Sequence, residues 1–257
     1  MNRKEEQADI RRFFDHQAGD YLGRYDPERI FTSYLHLERM WLTLDYLPKK
    51  GIVLDVGCGP GKLFQEIEDR GLAADLTYFG CDLSEAMLQA SRIPPTQRWV
   101  GTVFMAPESI PLFDAVVLLG VTSYMQLEEW KETLDWIRKH LRPGGTLIVT
   151  FTHRRSLDFQ IRKWLRRVLP ARWIPGTLAG QSFSTYAYSE KEVRAMFTHW
   201  NLQEAIWTNH GVTPFNRIFP RLTVRWAEFC TAHLDRSPGW LPLFSGDLLC
   251  VVKKPEG

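Results

Sequence analysis

The sequence has little of the cysteine patterning or long hydrophobic runs that mark several classes of protein. Its four cysteines, at positions 58, 81, 230 and 250, form no CxxC pair and no Cys/His cluster. This spacing indicates neither a zinc site nor a disulfide framework. We therefore expect no metal, and we expect free thiols in a reducing compartment. No apolar run approaches the roughly 18 residues of a membrane-spanning helix.

The sequence also lacks a large excess of charge of one sign, because it has 32 basic and 30 acidic residues. No chain-wide basic field would recruit nucleic acid, so we do not expect a nucleic-acid partner. The polar start MNRKEEQADIRR does not resemble a signal peptide. These features predict a cytoplasmic protein, and 257 residues suit one α/β domain with insertions.

The most informative stretch present is VLDVGCGPG, from Val53 to Gly61. An apolar run that is typical of a buried parallel strand leads into an acid and three glycines, which let the backbone turn and approach a ligand. A dinucleotide fingerprint would need a small residue at position 62, but that residue is Lys62. The stretch therefore favours a GxGxG cofactor loop with Asp55 beside it over an NAD site.

A second acid follows the next apolar run, in YFGCDLS from Tyr78 to Ser84. A strand, helix and strand unit would return Asp82 to the edge of the sheet beside the glycine loop. A carboxylate there can accept hydrogen bonds from both hydroxyls of a ribose. Ser84 is placed to cap the following helix.

Two further motifs complete an ordered series: FDAVVLLGVTSYM at 113–125 and LRPGGTLIVTFTH at 141–153. Together the four resemble the motifs of class I methyltransferases that use S-adenosylmethionine. The segment RRFFDHQAGDYLGRYD at 11–26 resembles the opening of the quinone and small-molecule group of that family. The resemblance is close over roughly residues 50–153 and looser elsewhere.

The resemblance implies a Rossmann-like, doubly wound α/β fold with a seven-stranded, mostly parallel sheet whose last strand is antiparallel. One methyltransferase domain would fill residues 1–257. Its parts would be an N-terminal helical lid at 1–48, a cofactor-binding core at 49–153, a basic amphipathic insertion at 154–188 and C-terminal strands with an aromatic insertion at 189–257.

The resemblance also implies the cofactor, S-adenosylmethionine, which leaves as S-adenosylhomocysteine. The residues expected to bind it are Asp55, Gly57, Cys58, Gly59, Gly61, Asp82, Leu83, Thr102, Gly120 and Tyr21. The adenine contact is not assigned, because the region WVGTVFMAPES at 99–109 lacks the family's acid after strand three.

The acceptor is expected to be a small, rather apolar molecule methylated on oxygen or carbon, since no NPPY-type motif is present. His153 and Tyr124, which follow strands five and four, are the candidate catalytic residues; His210, Tyr186 and Tyr188 are weaker alternatives. Two rival functions stay open: an RNA or protein methyltransferase of the same fold, and a non-catalytic S-adenosylmethionine binder.

Two insertions are candidates for acceptor or partner contacts. The first, at 154–174, combines basic residues with apolar ones at helical spacing. It either packs on the domain, lies on an anionic membrane at the cell's inner face, or binds an acidic partner or nucleic acid. It is also expected to shape the acceptor pocket. The second, at 210–240, is rich in aromatic residues that suit either an apolar acceptor wall or the core.

Overall fold

The computed structural model of the protein describes residues 3–26, 28, 30–168, 183–212, 215–233, 239 and 241–256. Its helices are α1 Arg3–Tyr21, α2 Ile30–Leu44, α3 Lys62–Asp69, α4 Glu85–Gln89, α5 Leu127–His140, α6 Leu157–Val168, α7 Glu190–Met196, α8 Phe215–Ile218 and α9 Pro220–Ala232. Its strands are β1 Gly51–Val56, β2 Leu76–Asp82, β3 Arg98–Val100, β4 Phe113–Leu118, β5 Leu141–Thr152, β6 Asn201–His210 and β7 Ser245–Lys253.

The strands form one seven-stranded sheet in the order β3-β2-β1-β4-β5-β7-β6. The pairs β1–β2, β1–β4, β2–β3 and β4–β5 are parallel, whereas β7 runs antiparallel to both β5 and β6. The predicted doubly wound sheet with an antiparallel last strand is thus confirmed. That strand lies between β5 and β6, so β6 forms the edge of the sheet.

The central strands are mostly apolar because both faces of the sheet are covered. Val116 on β4 belongs to one core cluster and Val117 to the other, and both side chains are fully buried. Trp130 of α5 packs in the first cluster, and Met40 of α2 packs in the second. Continuous apolar runs are expected where parallel strands are buried on both sides.

The order of the strands brings the functional segments to one edge of the sheet. Strand β1 is the switch point of the sheet: β2 and β3 are added on one side of β1, and β4 is added on its other side. Ligands of open α/β sheets bind beyond the carboxyl ends of the strands at such a point. The glycine loop at 57–61 follows β1 directly, which places it there.

The two insertions differ from each other in placement. Helix α6 covers only 157–168 of the predicted basic helix, and residues 169–182 lie outside the described part of the chain. In the aromatic insertion, α9 packs against α2 and β6. Of the described residues in this insertion, none lines the cavity described below. No helix within the described ranges is both long enough and apolar enough to cross a bilayer.

Candidate active site

The glycine loop after β1 has the backbone conformation that the sequence suggests. Gly57 and Gly59 have φ angles of 70° and 54°, in the left-handed region that favours glycine. A Cβ atom on Gly57 would also overlap the side chain of Val121. The backbone N–H groups of Gly57 and Cys58 donate hydrogen bonds to the carbonyl of Cys81, at 2.7 and 3.1 Å, which ties the loop to the end of β2.

Asp82 at the end of β2 faces this loop. Its Oδ2 accepts a hydrogen bond from Gly59 N and its Oδ1 one from Ser84 N, both at 2.8 Å. Burial raises the pKa of Asp82, and these two N–H groups oppose the rise. The carboxylate therefore holds the loop and the start of α4 together, and its remaining lone pairs are available to a ribose.

Three predicted cofactor residues do not line the cavity. Asp55 is buried below the loop, where Tyr78 Oη donates a 2.7 Å hydrogen bond to it. Burial raises the pKa of Asp55 to about 7, although the bond from Tyr78 lowers it. Cys58 packs beside Gly80 of β2, and a Cβ on Gly61 would overlap Ser91. Packing beneath the loop thus accounts for these residues.

A cavity of about 730 Å³ opens above the loop. The predicted cofactor residues that line it are Gly57, Gly59, Asp82, Leu83, Thr102, Gly120 and Tyr21. We call its walls at 57–59, 82–83, 101–103 and 119–121 the cofactor half. The acceptor half consists of the lining residues on α2, α6, β6 and β7 and at the end of β5. Its size lies within the range of about 300–1,000 Å³ that is usual for small-molecule sites.

Helix α1 covers the cofactor half as a lid. Its Ile10 and Phe14 line the cavity, and the Phe14 ring packs edge-on against Tyr124, with the centroids 5.3 Å apart. Asp15 holds the helix down, because its Oδ1 accepts a 2.6 Å hydrogen bond from Ser84 Oγ at the cap of α4. Helix α1 is thus tied by this hydrogen bond to the start of α4, beside the cofactor half.

Two arginines bring positive charge to the lid side of the cavity. The Arg24 guanidinium lies 4.3 Å from the centroid of the Tyr21 ring, and that ring approaches the Gly59 backbone. Arg39 lies so close to Gly120 that a Cβ there would be 2.7 Å from Nη1. Neither arginine forms an ion pair within the described residues, and Arg39 Nε is buried without a hydrogen-bond partner there. Both can bind a carboxylate, such as that of the cofactor's amino-acid end.

His36 also lines the cavity, and its hydrogen bonding fixes its protonation. Burial and the charges of Arg39 and Arg24 hold the pKa of His36 well below its usual value. Arg39 Nη2 lies 2.9 Å from His36 Nδ1, and an arginine can only donate. The neutral ring therefore carries its proton on Nε2, where it is a hydrogen-bond donor.

Of the two predicted catalytic residues, the structure brings only Tyr124 to the cavity. Burial raises the pKa of Tyr124 to about 12, so its hydroxyl stays protonated at neutral pH. It can donate a hydrogen bond but is a poor base there. Its ring contacts Phe14 and Phe183, which makes it part of an aromatic wall.

His153 is buried away from the cavity wall. Its Nδ1 lies 3.0 Å from the carbonyl of Pro242 and 3.3 Å from that of Ser245, and its ring packs on Trp207. It therefore ties β5 to the segment before β7, and the geometry gives it no access to an acceptor. His210 is fully buried and Tyr188 does not line the cavity, whereas Tyr186 does and donates to Glu6.

Several residues of the acceptor half carry no local signal in the sequence. Arg39 and His36 lie on α2, in a segment where the sequence shows no functional motif. Asn209 and Asp247 stand at strand ends that are 38 residues apart and meet only through the pairing of β6 with β7. Helix α6, in the basic insertion, contributes further lining residues, including Phe159 and Lys163.

A methyltransferase domain family model matches residues 54–147. The chain is similar to a tRNA N(3)-methylcytidine methyltransferase of Drosophila melanogaster, with 25% identity over 77% of this chain and 63% of that protein. It is also similar to a ubiquinone biosynthesis O-methyltransferase of Idiomarina loihiensis, with 28% identity over 51% and 54%. The chain thus spans less than two thirds of the length of these relatives.

Solved structures share the fold at low identity. Magnesium protoporphyrin IX methyltransferase from Synechocystis, with bound SAH, superposes with a TM-score of 0.59 at 16% identity, covering 95% of this chain and 98% of that one. A chain from a complex with the Haloferax volcanii Trm112 methyltransferase activator gives 0.59 at 20%, covering 94% and 97%. The match over residues 54–147, together with the glycine loop and Asp82, indicates a methyltransferase domain that uses S-adenosylmethionine, and the solved structures show the shared fold.

Proposed function

We propose that this methyltransferase domain transfers a methyl group to an oxygen or carbon atom of a small molecule bound in the acceptor half. The observation that carries the proposal is a single cavity of about 730 Å³ that joins the cofactor loop to the acceptor half beneath the α1 lid. Pockets of this size enclose small ligands and exclude water around them. A folded macromolecule could present only a small extruded group to such a site.

The cofactor supplies a methyl group on a positively charged sulfur, and transfer is an in-line displacement in which that charge disappears. The enzyme's main tasks are therefore alignment and exclusion of water. Asp82 and the loop would hold the ribose and the amino-acid end. The contacting rings of Phe14, Tyr124 and Phe183 close one wall of the cavity to solvent.

Methylation of RNA is the second candidate function. Relatives that act on tRNA favour it, and they leave our expectation against a nucleic-acid partner without support. An enzyme of this kind would have to place one extruded base in the cavity. Its binding to tRNA should weaken steeply with salt, because contacts to phosphates release counterions.

One experiment separates the two candidates. The purified protein is incubated with methyl-labelled S-adenosylmethionine and either total tRNA or a panel of apolar phenols, quinones and lipids. We expect label to appear in the small-molecule fraction. Label in tRNA alone would replace the first proposal with the second, and binding of S-adenosylhomocysteine without any turnover would favour a non-catalytic binder.

A further inference from the structure

Asp247 lies on the wall of the acceptor half. Two neighbouring side chains donate hydrogen bonds to its carboxylate and leave other lone pairs of the carboxylate available. Building on the function proposed above, we infer that Asp247, held by Asn209 and Thr152, forms an acceptor-binding subsite. This subsite binds a strong hydrogen-bond donor of the acceptor molecule, such as a hydroxyl or an ammonium group. Asp247, Asn209 and Thr152 all line the cavity.

Two hydrogen bonds fix the orientation of the Asp247 carboxylate. Thr152 Oγ1 donates to Oδ1 at 3.2 Å, and Asn209 Nδ2 donates to Oδ2 at 3.1 Å. Thr152 and Asp247 are direct partners in the β5–β7 pairing, so the register of the sheet places the first donor. A side chain that is held on both oxygens has little freedom to turn away from the cavity.

The carboxylate keeps capacity for a ligand after these bonds are made. An ionised carboxylate has about four lone-pair sites, and two of them are used here. Within the described ranges, no lysine, arginine or histidine forms an ion pair with Asp247. By contrast, Asp158 in the same wall is paired with Arg162. Asp247 is therefore the acid on this wall that a donor group of an acceptor can approach.

Asn209, which holds Asp247, is itself fixed in position by its neighbours. Asn209 has a φ angle of 61°, in the left-handed region, and its backbone N–H donates to the buried Glu38 at 3.1 Å. Glu38 is held in turn by Thr231 Oγ1 at 2.6 Å. A Cβ on Gly246 would lie 2.5 Å from Asn209 Nδ2, so glycine at 246 lets the amide lie beside Asp247.

The sheet sets the distance between this subsite and the cofactor half. Strand β7 lies two positions from β4, which ends at Leu118, two residues before Gly120 of the cofactor half. Neighbouring strands are about 4.8 Å apart, so Asp247 stands roughly 10 Å from the cofactor half along the sheet. That span suits an acceptor of about one ring held between Asp247 and the transferred methyl group.

The test uses binding, so it does not require the natural acceptor. Protein saturated with S-adenosylhomocysteine is titrated with phenol, benzylamine and toluene, and ligand-observed NMR follows each probe. We expect phenol or benzylamine to bind at least tenfold more tightly than toluene, as is usual for a hydrogen bond to a charged group. Preference for phenol indicates a hydroxyl, and preference for benzylamine indicates an ammonium group.

The variant Asp247→Asn should lose this preference and keep its affinity for toluene and for S-adenosylhomocysteine. Thr152→Val, which removes one supporting hydrogen bond, should weaken the preference partly and provides a second route if the first variant folds poorly. Asp135→Asn, on the exposed side of α5, is the matched control for loss of one charge and should bind as the wild type does.

The subsite would be overturned if the wild type bound all three probes equally or none of them, or if Asp247→Asn kept the preference. S-Adenosylhomocysteine would still bind in each of these cases, and the proposed methyl transfer would stand. Failure of S-adenosylhomocysteine to bind the wild type would instead overturn the proposed function, and the subsite with it.

Discussion

The cofactor half and the acceptor half of the cavity are built in different ways. The cofactor half comes from short loops that each follow a parallel strand, and it uses backbone groups and one carboxylate, Asp82. The acceptor half comes from five separate elements and uses the side chains of residues such as His36, Asn209 and Asp247. One half is therefore specified locally, and the other only by the packing of distant segments.

This difference matters for specificity. Backbone contacts in the cofactor half suit a ligand that is the same in every methyltransferase of this kind. Side chains on β6, β7 and α6 can change without disturbing that loop, so the acceptor can vary while the cofactor stays. Variants in the cofactor half should then act on cofactor binding first, and variants on β6, β7 and α6 should spare it.

The largest effect is expected from Gly57→Ala, which places a Cβ in Val121 at a left-handed φ angle. Strain and overlap together should lower the affinity for S-adenosylhomocysteine by roughly a hundredfold or more in calorimetric titration. Gly71→Ala is the matched control, because its φ angle is 69° and nothing lies within 4 Å. It should cost about 1–2 kcal/mol of stability and leave the affinity unchanged.

Asp82→Ala should come next. Loss of a hydrogen bond to a charged acceptor costs about 1.5–3 kcal/mol, which corresponds to a roughly tenfold to hundredfold loss of affinity for S-adenosylhomocysteine. Asp75→Ala, on an exposed residue just before the same strand, is the control. Unchanged affinity in Asp82→Ala would show that the carboxylate does not contact the ribose.

Arg39→Met tests where the border between the two halves lies. If Arg39 binds the carboxylate of the cofactor, the affinity for S-adenosylhomocysteine should fall roughly tenfold. Methylthioadenosine, which lacks the amino-acid end, should bind the variant and the wild type equally. An equal loss for both compounds would instead mean that the substitution disturbs the whole site.

The smallest effect is expected from His210→Leu, next to Asn209 in the acceptor half. Burial lowers the pKa of His210 to about 4 in the folded chain, so the unfolded chain takes up the proton first. The free energy of unfolding should fall as the pH drops from about 6.5 towards 4. At pH 5.5 the histidine accounts for about 1 kcal/mol of this loss.

Denaturant unfolding at several pH values measures this slope. The variant should show a shallower decline than the wild type. His36 and His153, whose pKa values burial also lowers, would supply the remaining slope. Identical slopes in the two proteins would mean that His210 is not shielded from protonation in the folded chain.

The sequence alone predicted the sheet, the cofactor and most of the cofactor half. Apolar runs and glycines are local signals, and each of them led to the observed strand or loop. The same signals also pointed to Asp55 and Gly61, which do not line the cavity. An acid and a glycine next to a cofactor loop look the same in sequence whether they face the ligand or the packing beneath it.

Only the tertiary structure decided which residues form the acceptor half. His153 directly follows β5, at the edge of the sheet where ligands bind. Its ring nevertheless lies against the carbonyls of Pro242 and Ser245, whereas Thr152 lines the cavity. Asp247 meets Thr152 and Asn209 because the register of β7 against β5 and β6 brings them together. Pairing between distant strands carries no mark in the local sequence, whereas a glycine loop after a buried strand does.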